Sequence, residues 1–182
     1  HGITYAEHFC KEGAFITKAT AQLMRDFGCV QSPINAYMLN LGLESLHVRM
    51  ARHCENGQAV AEFLASHPKI AYVNYCGLPG DKYHAVAEKY LPNGSCGVVS
   101  FGVKGGREAA AAFMGHLKIA AIETHVADAR TCCLHPASST HRQMNDEQLI
   151  AAGVQPDLVR MSCGLEDKND LIHDIAQALD QI

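Results

Sequence analysis

The spacing of apolar residues changes character at His67-Pro68, and that change limits the architectures open to this chain. Before it, Ser32-Pro33 offers an N-cap followed by proline at the first helical position. Met38, Leu41, Ser45, Val48 and Ala51 then recur at helical spacing, which predicts one long, bent helix from Pro33 toward Phe63-Leu64. Residues 15–27 read as an earlier helix closed by Gly28, a suitable C-terminal cap. After it, short apolar runs predict strands at 70–75, 97–103, 119–122, 131–134 and 158–162. Helical patterns fall at 82–90 and 107–117, and Asp167 or Asn169 caps a last helix through Leu179. The expected class is therefore α/β, with a helical segment over 1–66 and a small domain over 67–182 whose helices cover one sheet.

Composition narrows the function classes. With 182 residues, 48% of them apolar, the chain can bury a substantial core as one domain or a little more. Its formal charge of −4, from 15 Lys+Arg against 19 Asp+Glu, shows no basic surplus, and no Lys/Arg-rich run points to nucleic acid. No apolar stretch approaches the roughly 20 residues of a membrane span, and His1-Gly2-Ile3-Thr4-Tyr5 has the makings of no signal peptide. A cytoplasmic protein is expected. The opening residue is not Met, which suggests a piece of a larger polypeptide. The 8 cysteines include no C-x-x-C pair, so they read as reduced thiols packed as small apolar groups.

Two stretches hold candidate chemistry. In Leu158-Val159-Arg160-Met161-Ser162 the arginine sits among residues that want burial, and a guanidinium cannot shed its charge, so it needs an anion. Two partners are open: a structural ion pair with Glu166, or the carboxylate of a ligand gripped through two N–H groups, with Glu166 holding the arginine in place. In His135-Pro136-Ala137-Ser138-Ser139-Thr140-His141, imidazoles and hydroxyls cluster after a strand, and His125 lies upstream. Zinc on His125, His135 and His141, aided by Cys132, Cys133 or Cys163, lacks the H-E-x-x-H or paired C-x-x-C spacing. A polar turn that satisfies buried backbone groups is the better reading, and no metal ligand is predicted.

These stretches, LVRMSCGLED and HPASSTH, together with DEQLIAAGVQPD, VADART, KYLPNGSCGVVSFGVKGGREAA, VNYCGLPG and SPINAYMLNLGLESLHVRMARHCENGQAVAEFL, resemble the Cys/Met-metabolism family of pyridoxal-phosphate enzymes. The resemblance is to the C-terminal domain of the O-acetylhomoserine sulfhydrylases and covers essentially the whole chain. Cystathionine γ-synthase, cystathionine γ-lyase and methionine γ-lyase are the neighbouring alternatives, and a non-catalytic interaction domain of the same fold is another.

The resemblance implies the α+β C-terminal domain of the fold-type I pyridoxal-phosphate transferases, with long helices leading from a large cofactor-binding domain into a small, mostly antiparallel sheet. It implies O-acetyl-L-homoserine and sulfide or a thiol as substrates, and a homo-oligomer, a tetramer in the family. Arg160 of the R-x-S-x-G-x-E motif would bind the substrate α-carboxylate, Thr140 would line the site, and Ser162 and Glu166 would support it. The aldimine lysine of the S-x-T-K-[YF] context is not found. The only Thr-Lys dipeptide, Thr17-Lys18, has Phe15 for the serine and Ala19 for the aromatic residue. No catalytic residue and no bound cofactor are thus expected in this chain, and pyridoxal phosphate belongs to the intact enzyme. His125 and Ala127 stand where relatives usually carry Asn or Ser and then Gly, which places an imidazole at a substrate-contacting position.

Overall fold

Ser45, at φ −103° and ψ 3°, ends the helix that begins at Pro33, so the expected single bent helix is instead two. In the computed structural model, which describes residues 2–182, the break also separates two compact units, one ending at Ser45 and one spanning Leu46–Ile182. The boundary falls there rather than at 66/67 because the second of these helices belongs with the sheet.

The first unit is helical. Helix α1 (Tyr5–His8) and helix α2 (Cys10–Lys18) are followed by six π-helical residues, Ala19–Met24, and a last turn, α3 (Arg25–Phe27). Gly28 closes it at φ 67°, a left-handed cap where an L side chain would be strained. Helix α4 (Pro33–Glu44) starts as its sequence requires, with the Ser32 hydroxyl accepting from the Asn35 N–H and Pro33 at the first position. None of these helices buries a residue. Ile34, Tyr37, Met38, Leu39 and Leu43 on α4 and Phe15 and Phe27 before it all stay exposed.

The second unit holds the core. Its elements are α5 (Leu46–Ser66), β1 (Ile70–Asn74), α6 (His84–Tyr90), β2 (Val98–Val103), α7 (Gly106–His116), β3 (Ala121–Ile122), β4 (Cys132–Leu134), a 3-10 turn at Pro136–Ser138, α8 (Asp146–Ala151), β5 (Leu158–Ser162) and α9 (Lys168–Asp180). The five strands form one sheet in the order β1-β2-β5-β4-β3, antiparallel except for the β3–β4 edge. Alternation along β2 and β5 sends Val99, Phe101, Val103, Val159 and Met161 to one face, all fully buried. Against that face pack α5 through Val60, Ala61 and Leu64, α7 through Ala110 and Phe113, and α9 through Leu171, Ile175 and Leu179. Phe101 and Phe113 meet edge to face, ring centres 5.8 Å apart.

Two details of this unit escaped the sequence reading. Helix α8 starts with a capping box in which Asn145 accepts from the Gln148 N–H while the Gln148 side chain accepts from the Asn145 N–H, and that N-x-x-Q signal is present in the sequence. Asp174 on α9 is buried and accepts from the backbone N–H groups of Lys118 (2.8 Å), Ile119 (2.9 Å) and Ala120 (3.2 Å), ending the α7–β3 connection where no sequence pattern marks it.

Candidate substrate-carboxylate site

Register explains the arginine in an apolar strand. Arg160 pairs across the sheet with Ser100 on β2 and Leu134 on β4, so its side chain leaves the face opposite the helices, while Val159 and Met161 point into the core. The segment 123–131, which connects the parallel strands β3 and β4, runs past it. Arg160 Nη2 donates to the Thr124 carbonyl at 3.0 Å. Among the described residues Arg160 forms no ion pair, and the expected contact with Glu166 is not made.

Glu166 is occupied elsewhere. Its carboxylate accepts from the Thr131 N–H at 2.7 Å and from the Thr131 hydroxyl at 2.8 Å, and that hydroxyl accepts in turn from the Gly164 N–H at 2.8 Å. Ser162 Oγ accepts from the Ala127 N–H at 2.9 Å. Gly164 leaves room for the approach, since a Cβ there would collide with the Ala129 carbonyl oxygen, the Arg130 backbone and the Glu166 carboxylate. The alternating residues of R-x-S-x-G-x-E thus each fasten the 123–131 segment to β5 and the turn after it. Thr131, wholly buried, is the hub the sequence reading missed. Ala127 sits at φ 60°, in the left-handed region that an L residue enters at a cost and a glycine does not.

His125 lies in the same segment, 61% exposed, with its Nδ1 3.0 Å from Glu123 Oε2 and 3.5 Å from Asp128 Oδ2. Arg130 spans the same two acids, with Nη2 3.3 Å from Glu123 and Nε 3.4 Å from Asp128. The Arg130 backbone N–H, and then its guanidinium, hold the Asp128 carboxyl below the usual carboxylate range.

In the HPASSTH turn the side chains hydrogen-bond locally. His135 is buried, with Nε2 2.8 Å from the Pro156 carbonyl and Nδ1 2.9 Å from Ser138 Oγ. A carbonyl only accepts, so Nε2 carries the proton and Nδ1 is left to accept from the hydroxyl. Both ring nitrogens are spent. Thr140 is exposed, its hydroxyl 2.9 Å from His141 Nδ1, and it shares no hydrogen bond with Arg160 among the described residues. The structure therefore brings Arg160, Ser162 and Glu166 together around one segment that includes His125, and gives Thr140 and His141 to one another.

The mixed sheet carries on the face away from the helices a guanidinium that no acid among the described residues neutralises, and the comparisons give the chain's class. The chain belongs to the Cys/Met metabolism PLP-dependent enzyme family, whose model matches residues 5–180. An O-acetyl-L-homoserine sulfhydrylase of Leptospira meyeri is 43% identical across 100% of this chain and 43% of its own length. A homocysteine synthase of Schizosaccharomyces pombe is 41% identical over 99% of this chain and 42% of its own length. A crystal structure from Campylobacter jejuni, named as a candidate O-acetylhomoserine (thiol)-lyase with a pyridoxyl-lysine phosphate group, superposes with a TM-score of 0.84 at 35% identity, over 99% of this chain and 42% of that one. The chain thus spans less than half the length of the relatives it matches.

The residues present do not fit the cofactor itself. Lys18 is exposed at the end of α2, where the helix continues into its π-helical turns.

Proposed function

We propose that this chain is the C-terminal part of a cytoplasmic, homo-oligomeric O-acetylhomoserine sulfhydrylase, which replaces the γ-acetoxy group of O-acetyl-L-homoserine with sulfide or a thiol to give homocysteine or methionine. In that reading the cofactor and its lysine are supplied by sequence outside these residues, and the chain alone is inactive. Arg160 binds the α-carboxylate, and Ser162 and Glu166 position it by fixing the segment that its guanidinium holds. Thr140 and His125 line the site.

The observation that supports this most is the state of Arg160. One Nη donates to the Thr124 carbonyl, and no protein carboxylate pairs with the guanidinium among the described residues. Arg160 is only half-buried, so water serves the N–H groups that no acid takes, and these stay available to an incoming anion. The Thr124 contact fixes the guanidinium plane and leaves N–H groups for an incoming carboxylate, the geometry of a two-pronged grip. No described helix is long and apolar enough to cross a membrane, in keeping with a reaction on small water-soluble substrates.

The experiment is Arg160→Lys in the full gene product. Lysine keeps the charge and loses the planar fork, so substrate affinity should fall by about 1.5–3 kcal/mol, the range of a hydrogen bond to a charged group, while the cofactor spectrum is unchanged. Unaltered steady-state kinetics with O-acetyl-L-homoserine would make Arg160 a structural residue.

A further inference from the structure

The segment between β3 and β4 holds a second arrangement, in which His125, proposed above to line the carboxylate site, also faces two acids. Glu123, His125 and Asp128 each direct one ligating atom into a common space, and these atoms lie within 4.8 Å of one another. The same nitrogen, His125 Nδ1, faces both acids, at 3.0 Å and 3.5 Å. An N–H at that nitrogen points along one direction and serves one carboxylate well. A cation on its lone pair would be shared by all three groups. Where metal–ligand bonds are about 2.1 Å, neighbouring donors in an octahedral or tetrahedral shell stand about 3.0–3.4 Å apart, close to the two separations observed.

The surroundings set the class of ion. The donors are one imidazole and two carboxylates, a set that suits borderline first-row divalent ions. Cys132 lies beside the cluster, its Sγ 3.8 Å from Glu123 Oε2, but the residue is buried and its thiol is turned to the Arg130 carbonyl at 3.4 Å, so the donor set at the exposed face is nitrogen and oxygen. His125 and Arg130 are each 61% exposed, which leaves open coordination positions and a path for the ion. Arg130 is the cation now balancing both acids. Its long side chain can swing into solvent when a divalent ion takes its place.

We propose that Glu123, His125 and Asp128 form a binding site for a divalent first-row cation of the Mn2+, Co2+ and Zn2+ class. Thr124, whose carbonyl Arg160 holds, lies between two of the three ligands, so occupancy pins the backbone beside that guanidinium. His125 is common to this site and to the substrate site proposed above, so the test reads ion binding directly and fails or holds separately from any loss of enzymatic activity.

The test titrates the full gene product with cobalt chloride and follows the visible absorption of bound Co2+ together with the heat of binding. One saturable site per chain is expected, without the charge-transfer band of a thiolate ligand. Glu123→Gln, Asp128→Asn and His125→Asn should each weaken it by roughly tenfold or more, taking the loss reported for supporting residues as a lower bound. Arg130→Ala, which removes the competing guanidinium, should tighten it. These are substitutions of part-exposed or exposed side chains, so the variants should remain folded. Absence of saturable binding in both the unaltered protein and Arg130→Ala would overturn the proposal and leave an ion-pair network. Binding that carries a thiolate band, or that survives Glu123→Gln and His125→Asn unchanged, would overturn it too.

Discussion

Ala127 shows how a single residue can report on a site it does not chemically serve. At φ 60° its backbone is held by the Ser162 hydroxyl in a conformation that costs an L residue about 1–2 kcal/mol and costs glycine almost nothing. Ala127→Gly should therefore raise stability by about 0.5–1 kcal/mol in urea unfolding, because glycine also gains freedom in the unfolded chain. Ser162→Ala should lower it by leaving the Ala127 N–H without its acceptor. Cys163 makes a second case at this scale. Burial pushes its thiol up to about 12 from an ordinary 9.0, so the folded protein holds a proton that the unfolded chain releases earlier. The resulting stabilisation is complete below about pH 9 and is lost as the pH rises toward 12. Urea midpoints should fall with pH across that window, and Cys163→Ala should flatten part of the slope. An identical slope in the variant would assign the loss to other buried groups, such as Tyr72 and Tyr75, whose hydroxyls are also raised by burial.

At the scale of elements, the connections decide more than the strands. Strand β5 occupies 158–162 as expected from its apolar run, and the alternation of Val159 and Met161 with Arg160 follows from the two-residue period alone. The segment joining β3 to β4 offers no such period, and what fixes it is a set of long-range hydrogen bonds from β5 and the turn beyond. Asp174 does the same for the α7–β3 connection. Asp174→Ala would leave the N–H groups of Lys118, Ile119 and Ala120 without this acceptor, and the expected cost is about 3 kcal/mol, with Asp174→Asn restoring part of it. Thermal unfolding of the three proteins side by side checks this. A loss under about 0.5 kcal/mol would mean that water replaces the carboxylate without penalty.

For the whole molecule, the two units differ in what they bury. The second closes a core around Phe101, Phe113 and Met161, whereas the helices of the first bury nothing and leave Phe15, Phe27, Ile34, Tyr37, Met38 and Leu39 exposed. Apolar patches beyond a few hundred Å2 usually find partners. The 182-residue chain by itself should accordingly self-associate, and light scattering across a concentration series should show mass rising with concentration. A concentration-independent monomer would mean that the first unit's apolar side chains are covered within the chain. Replacing Ile34, Met38 and Leu41 with polar residues should suppress the association without disturbing the sheet.

The sequence by itself determined what depends on neighbours in the chain: the helix starts at Ser32-Pro33 and Asp167, the left-handed cap at Gly28, the alternating faces of the strands, and the motifs that resemble the family. Each rests on periodicity, capping or turn chemistry acting within a few residues, which a linear reading can follow. Only the tertiary structure decided that the Pro33 helix stops at Ser45, that α5 belongs with the sheet, that Glu166 holds Thr131 and leaves Arg160 unneutralised, and that His125 stands between two carboxylates while His135 is sealed by Pro156 and Ser138. These partners are brought together by the sheet order β5-β4-β3, in which the strand nearest the C-terminus lies beside one formed earlier. Side-chain pairing across such a sheet is set by three-dimensional register and by competition among many possible acceptors, and neither is written in the local spacing of residues.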